Sequence, residues 1–160
     1  MKKILVLVYS ILIISCSGNE DTVTEDGSCF STGERTYKWT MVTTWPKNFP
    51  GLGMASENFS KYVDEMTCGR MQIKVYGAGE FVPALGVFDA VSQGNVQLGH
   101  GASYYWTGKV KSSQFFTAVP FGLTAQEMNG WLHYGGGMEL WEEAYAPFNL
   151  IPLALSLIHI

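Results

Sequence analysis

The sequence predicts an α/β fold in which a mainly parallel sheet is flanked by helices. Strand-like and helix-like patterns alternate along most of the 160 residues, and 18 glycines mark the turns between them. Hydrophobic residues make up 47% of the chain and charged residues only 15%. This composition favours a folded domain with a core over a disordered chain.

The first predicted unit is a strand, a helix and a second strand. Residues 37–42 alternate between polar and apolar side chains, and so do residues 71–76, as strands do. Between them, apolar residues recur at helical spacing, and Gly69 can end the helix in a left-handed conformation. The predicted buried stripe consists of Ala55, Phe59, Tyr62, Val63 and Met66. Such a short crossover unit implies two parallel strands.

The same rhythm continues towards the C-terminus. Pro83 suits the first turn of a helix that buries Ala84, Leu85, Phe88 and Val91 and stops at Gly94. A third strand is predicted at 96–99. Thr124 and Glu127 form a capping-box pattern that opens another helix, which the glycines at 135–137 end. One more helix and a strand at 148–152 complete the prediction.

The N-terminal residues have the pattern of an export signal. Lys2 and Lys3 precede an apolar run at 4–14 that is too short to span a bilayer as a stable helix. The run ends in Ile-Ile-Ser-Cys, which resembles a lipobox. We therefore predict a signal peptide at 1–15, and a lipid-attachment cysteine, Cys16, followed by a flexible tether at 16–36. The lipid would anchor the protein to a membrane in the periplasm.

Two other features of the chain ends carry expectations. Export permits a disulfide between Cys29 and Cys68, although two unrelated thiols are an equal alternative. Residues 153–160 are almost wholly apolar and have no turn or polar cap. We interpret this anomalous tail as the place where the chain is truncated within a larger protein.

Several function classes are disfavoured. The formal net charge of −4 and the lack of any basic run argue against nucleic-acid binding. The loop at 77–82 begins like a dinucleotide loop but places Val82 where a small residue is needed. His100 has no serine or cysteine at a diagnostic spacing, so a structural role is favoured. We predict no enzyme activity, no catalytic residue and no metal ligand in these residues.

The candidate ligand site lies in the loops that follow the parallel strands, because ligands of open parallel sheets bind beyond the carboxyl ends of the strands. These loops span 43–53, 77–82 and 100–109, with a further segment at 120–122. They are rich in aromatic side chains, which line small-molecule clefts. The predicted ligand-binding residues are Trp45, Phe81, Tyr104, Tyr105 and Phe121. The alternative that most of these rings belong to the core stays open.

Residues 37–152 also resemble a known family. The segments 38–46, 87–94, 102–109, 115–123 and 134–141 together are similar to the solute-binding proteins of TRAP transporters. The similarity is to the branch that carries small hydroxy- and keto-monocarboxylates such as lactate or pyruvate. The resemblance implies that 37–152 form the first lobe of a two-lobed periplasmic binding protein that delivers its solute to membrane permease subunits.

The resemblance also implies what these residues lack. In relatives, a second, C-terminal lobe supplies the arginine that holds the carboxylate and the ligands of a co-bound divalent cation or sodium. Here Arg35 lies in the tether and Arg70 at the opposite end of the sheet, so no residue is assigned to grip the anion. We expect no cofactor site in this lobe alone. The alternative function is an exported lipoprotein with a structural or adhesive role and no small-molecule ligand.

Overall fold

Three parallel strands form the centre of the fold. The computed structural model describes residues 35–154, and within them β1 (Tyr37–Thr43), β2 (Met71–Tyr76) and β3 (Leu98–His100) form one sheet in the order β2-β1-β3. Both strand pairs are parallel, with Met41 opposite Val75 on one side and Leu98 on the other. The predicted α/β fold with a parallel sheet is confirmed.

Helices connect and cover the strands. The α-helices are α1 (Leu52–Met66), α2 (Val87–Ser92), α3 (Ala125–Tyr134) and α4 (Gly137–Tyr145). Short 3-10 helices occupy Ala84–Gly86, Ser103–Trp106, Lys111–Phe116 and Ala146–Phe148. In chain order, α1 lies between β1 and β2, and α2 lies between β2 and β3, as the two crossover connections require.

Helix α1 buries small residues rather than the predicted apolar stripe. Its buried residues are Gly53 and Ser56, whereas Tyr62 and Met66 are exposed. The Ser60 hydroxyl donates a hydrogen bond to the carbonyl of Ile73 in β2. The predicted buried stripe is therefore wrong at Ala55, Tyr62 and Met66, which are exposed, while Phe59 and Val63 are partly buried.

Helix α2 covers another part of the sheet and helps to build the main core. A Cβ atom at Gly99 would lie 2.8 Å from methyl groups of both Val87 and Val91. This contact leaves no room for a side chain in β3 at that position. The main cluster of buried residues comprises Val42, Val87, Phe88, Ala90, Val96, Trp106, Val110 and Tyr145.

The two C-terminal helices build a second cluster around stacked rings. Phe116 stacks on Trp131 and on Trp141, with ring centroids 5.9 Å and 5.3 Å apart and nearly parallel planes. The predicted capping box at the start of α3 is confirmed: Glu127 N–H donates to the Thr124 hydroxyl, and Thr124 N–H donates to the Glu127 carboxylate. Together these contacts fix where α3 begins and which face it buries.

Three further element predictions need correction. The predicted strand at 148–152 is absent from the described residues: a 3-10 helix ends at Phe148, and Asn149 has a left-handed backbone. The third strand lies at 98–100 rather than 96–99, because Val96 turns into the core. Leu85 is exposed, since its segment is a 3-10 turn and not the first turn of α2.

Several predictions fall on residues outside the described range. They concern the signal peptide at 1–15, Cys16, Cys29, nearly all of the tether at 16–36 and most of the tail at 153–160. Cys68 is disulfide-bonded. Among residues 35–154, no helix has both the length and the apolar character needed to cross a bilayer.

The contact between β3 and α2 predicts a position-specific effect of adding one methyl group. Gly99→Ala should lower the free energy of unfolding by about 1–3 kcal/mol, because overpacking forces the neighbouring side chains to move. Gly108→Ala is the matched control, since a Cβ there would meet nothing within 4 Å. Urea unfolding of both variants measures the difference. Equal stabilities would contradict the described packing.

Candidate functional site

The carboxyl ends of β1 and β3 meet at one edge of the sheet. Thr43 and His100 are register partners, and the Thr43 hydroxyl lies 3.4 Å from His100 Nδ1. One residue further on, Thr44 N–H donates to the His100 carbonyl at 2.9 Å. Both side chains of the register pair are buried. They form the floor on which the following loops rest.

Trp45 lies directly on this floor. Its backbone N–H donates to the Thr43 hydroxyl at 3.2 Å. Its ring centroid lies 4.9 Å from that of His100 and 6.2 Å from that of Tyr105. Tyr105 in turn contacts Tyr104 edge-on at 4.7 Å. The structure thus brings three of the five predicted rings into one cluster, with Trp45 only 9% exposed and Tyr105 38% exposed. We refer to Trp45, Tyr104 and Tyr105 as the aromatic rim.

The other two predicted rings lie apart from the aromatic rim. Phe81 follows β2, packs against Tyr76 at 5.3 Å and is 51% exposed. Phe121 is fully exposed on a left-handed backbone, with φ of 58°, and shares no ring contact with the other four within residues 35–154. The rings are therefore not sealed in a closed core, although Trp45 is largely buried.

The loop after β2 is tied to the loop that carries Trp45. Ala78 N–H donates to the Trp45 carbonyl at 3.0 Å, and the Glu80 carboxylate pairs with the Lys47 ammonium group at 2.8 Å. The same carboxylate oxygen accepts a hydrogen bond from Gly77 N–H at 3.0 Å. The Glu80 carboxylate is therefore held by two partners within the protein, although its side chain is 42% exposed.

Two buried hydroxyl groups near this edge were not singled out from the sequence. Thr44 Oγ1 and Ser103 Oγ are both buried and have no hydrogen-bond partner within residues 35–154. Thr44 directly follows β1 and Ser103 follows β3 by three residues, so each belongs to a strand-end loop. Ligands of parallel sheets bind at such strand-end loops, so a search of these loops for hydroxyl side chains would have identified both residues from the sequence.

The aromatic rim is electrically neutral. Burial lowers the pKa of His100, which favours the uncharged imidazole. Burial, with the neighbouring Tyr105 hydroxyl, raises the pKa of Tyr104 and keeps its phenol protonated. Lys109, the other cation on this side, pairs with Asp89 at 2.7 Å. The rim can therefore offer apolar surface and hydroxyl hydrogen bonds to a solute, but no unpaired positive charge of its own.

Two other features bear on the choice of site. A shallow cavity of about 320 Å³ lies between α1 and β2, away from the aromatic rim and lined largely by charged and polar side chains. Within the part of the chain that the structure describes, no group of three or more His, Cys, Asp or Glu side chains is placed to hold a metal ion. The neutral rim at the strand ends remains the candidate solute surface.

Residues 41–155 match the family described as bacterial extracellular solute-binding protein, family 7. The chain belongs to this family. The match covers most of the segment predicted as the first lobe, and it confirms the resemblance drawn from the sequence. The family comprises solute-binding proteins and is not a family of enzymes.

Relatives of this family member are similar in both sequence and structure. It is 47% identical over 114 residues to a monocarboxylate 2-oxoacid-binding periplasmic protein of Nostoc, covering 71% of this chain and 31% of that protein. A TRAP periplasmic solute-binding protein of Pseudoalteromonas atlantica, solved with bound sodium and pyruvate, is 48% identical with a TM-score of 0.71. One from Colwellia psychrerythraea, with calcium and pyruvate, is 44% identical with the same TM-score.

The extent of these matches defines what part of the family fold is present. The two solved structures are matched over 73% of this chain and 36% of their own chains. The chain thus spans about a third of the length of these relatives. Its α/β unit corresponds to one lobe of TRAP solute-binding proteins, as predicted. The assignment of individual ligand-binding residues stays a prediction.

The buried imidazole beneath Trp45 predicts a pH-dependent stability. Because the pKa of His100 lies below its ordinary value of 6.5, the unfolded chain takes up a proton that the folded chain resists. The free energy of unfolding should therefore fall as the pH decreases through 6.5, with a slope of up to about 1.4 kcal/mol per pH unit, until the lowered pKa is reached.

His100→Asn should remove this part of the slope, whereas His133→Asn, at an exposed position on α3, should keep it. Urea unfolding between pH 5 and pH 8 measures both variants. If His100→Asn retained the slope of the unaltered protein, the imidazole would not be the titrating group.

Proposed function

We propose that this protein is the extracytoplasmic receptor of a TRAP-type secondary transporter, which captures a small 2-oxo or 2-hydroxy monocarboxylate such as pyruvate or lactate. The single observation that carries the proposal is the 48% identity to a solute-binding protein solved with pyruvate. The name of the Nostoc relative, a monocarboxylate 2-oxoacid-binding protein, supports the same solute class.

The chemistry of the aromatic rim fits part of such a solute. A three-carbon oxo acid has an apolar methyl end, a keto or hydroxyl oxygen and a carboxylate. The Trp45 ring offers apolar surface, and the Tyr104 and Tyr105 hydroxyls offer hydrogen-bond donors to the oxygen. We assign Trp45, Tyr104 and Tyr105 to direct contact, and Phe81 and Phe121 to the outer margin of the cleft.

The carboxylate of the solute needs a partner that this lobe does not offer. Arg70 immediately precedes β2, at the sheet edge opposite the rim, and Lys47 and Lys109 are already paired. A carboxylate in a dry cleft is best held by a bidentate arginine. We propose that this group comes from residues outside 37–152, as the relatives' roughly threefold greater length allows.

A bound cation, like the carboxylate, would need ligands from outside this lobe. The two pyruvate complexes contain sodium in one case and calcium in the other. Residues 35–154 do not fit such an ion, because they hold no cluster of carboxylate or imidazole ligands. We therefore propose no metal ligand in this lobe, and any divalent cation or sodium would be bound elsewhere in the full-length protein.

The remaining parts of the proposal concern location and partners. We propose that residues 1–15 direct export, that Cys16 carries the lipid anchor, and that 16–36 tether the lobe to a membrane facing the periplasm. The solute would pass to the membrane permease subunits of the transporter. No catalytic step is involved, since the solute leaves chemically unchanged.

Ligand-induced stabilisation tests this function directly. In the full-length gene product, pyruvate at about 100 times its dissociation constant should raise the free energy of unfolding by roughly 2.7 kcal/mol. Thermal melts with pyruvate, lactate and longer oxo acids, each with sodium or calcium, measure the effect. The 160 residues alone should show little or no shift. If no carboxylate stabilised the full-length protein, the alternative of a lipoprotein without a small-molecule ligand would stand.

The aromatic rim predicts a residue-specific loss of affinity. Trp45→Leu should weaken pyruvate binding by about tenfold, because a buried aromatic contact with the solute is lost. Trp39→Leu, at the opposite end of β1, is the matched control and should bind normally. Isothermal titration of both variants, made in the full-length protein, measures the dissociation constants. An equal loss in the two would assign the effect to stability rather than to contact.

A further inference from the structure

We propose that Glu80 is a positioning residue that locks two strand-end loops together and so presets the Trp45 ring for the solute. This inference rests on the proposed function. The device consists of Glu80, Lys47 and the backbone of Gly77, and we refer to it as the Glu80 clasp.

The clasp joins loops that follow two different strands. Lys47 lies in the loop after β1, two residues beyond Trp45, and Glu80 lies in the loop after β2. The carboxylate contacts both the Lys47 ammonium group, at 2.8 Å, and Gly77 N–H, at 3.0 Å. One side chain therefore ties its own loop into a turn and ties that turn to the neighbouring loop.

Backbone contacts make the connection tight. Ala78 N–H donates to the Trp45 carbonyl, so the peptide group of the rim tryptophan is itself part of the junction. A Cβ atom at Gly77 would lie 2.9 Å from the backbone nitrogen of Lys47, which shows how closely the two loops approach. Loss of the ion pair would leave the Ala78–Trp45 hydrogen bond without the support of a charged contact between the two loops.

Trp45 is thus fixed from two directions. From below, its backbone N–H donates a hydrogen bond to the Thr43 hydroxyl, and its ring packs on the His100 ring. From the side, its carbonyl and Lys47, two residues further along the chain, are held by the β2 loop. A ring held in this way loses little conformational freedom when a solute arrives, and preorganisation of this kind improves affinity without adding a contact.

The charges of the clasp agree with a structural and not a ligand role. The pKa of Glu80 is lowered, first by the Lys47 ammonium group and then by Gly77 N–H, so the carboxylate stays ionised and paired. Lys47 meanwhile lies over the Tyr76 ring at 5.9 Å. Both contacts are made by Oε2, so a cation at Glu80 would compete with the Lys47 ammonium group for the same carboxylate.

Paired substitutions in the full-length protein test the clasp. Glu80→Gln and Lys47→Met should each weaken pyruvate binding by about fivefold, the upper range for an exposed ion pair, and the double variant should lose no more than either single one. Lys47→Arg, which keeps the positive charge that Lys47→Met removes, should bind pyruvate as the unaltered protein does. Lys61→Met, which removes the same charge from an ion pair on α1, should have no effect.

Hydrogen exchange separates positioning from the function on which it rests. Without ligand, the Ala78 amide should exchange several-fold faster in Glu80→Gln than in the unaltered protein, because the junction opens more often. If the unaltered protein binds no carboxylate, the proposed function fails and the exchange result alone decides the clasp. Unchanged exchange at Ala78, unchanged affinity in Glu80→Gln, or an equal loss in Lys61→Met would each overturn this inference.

Discussion

The parallel pairing of β1 with both β2 and β3 is the constraint on which the structure depends. Because β1 lies between its neighbours and all three strands run the same way, their carboxyl ends reach a single edge. The pairing of the strands alone therefore brings the loops that follow them close together, before any contact between the loops is considered. The aromatic rim and the Glu80 clasp are both built on that convergence, and either would disperse if one strand ran in reverse.

The sequence was most informative where local chemistry alone determines structure. Alternation predicted β1 and β2, and the side chains of Thr124 and Glu127 predicted the start of α3, because each signal lies within a few residues. The predicted stripe of α1 failed because which residues of a helix are buried depends on the elements that pack against it. The predicted strand at 148–152 failed for a similar reason, since strands exist only where a partner is available.

The candidate site was predictable as a place and less so as a set of contacts. The predicted strand ends indicated loops that the structure brings to one edge of the sheet, where the rings of Trp45, Tyr104 and Tyr105 form one cluster. Spacing could not reveal that Phe121 lies apart, that His100 supports Trp45, or that Glu80 joins Lys47 across two loops. These relations link residues from different crossover units, so they depend on register and loop geometry, which a single sequence does not encode locally.

The central place of β1 has a consequence for how the chain folds. Its register partners Thr43 and His100 are 57 residues apart, and β1 is synthesised before either neighbour. At about 5–20 residues per second, β1 waits roughly 3 to 11 seconds for β3 after it has itself been made. Both of its hydrogen-bonding edges are open until β2 has been made, and the edge that faces β3 stays open to wrong pairing with other strands for the whole interval.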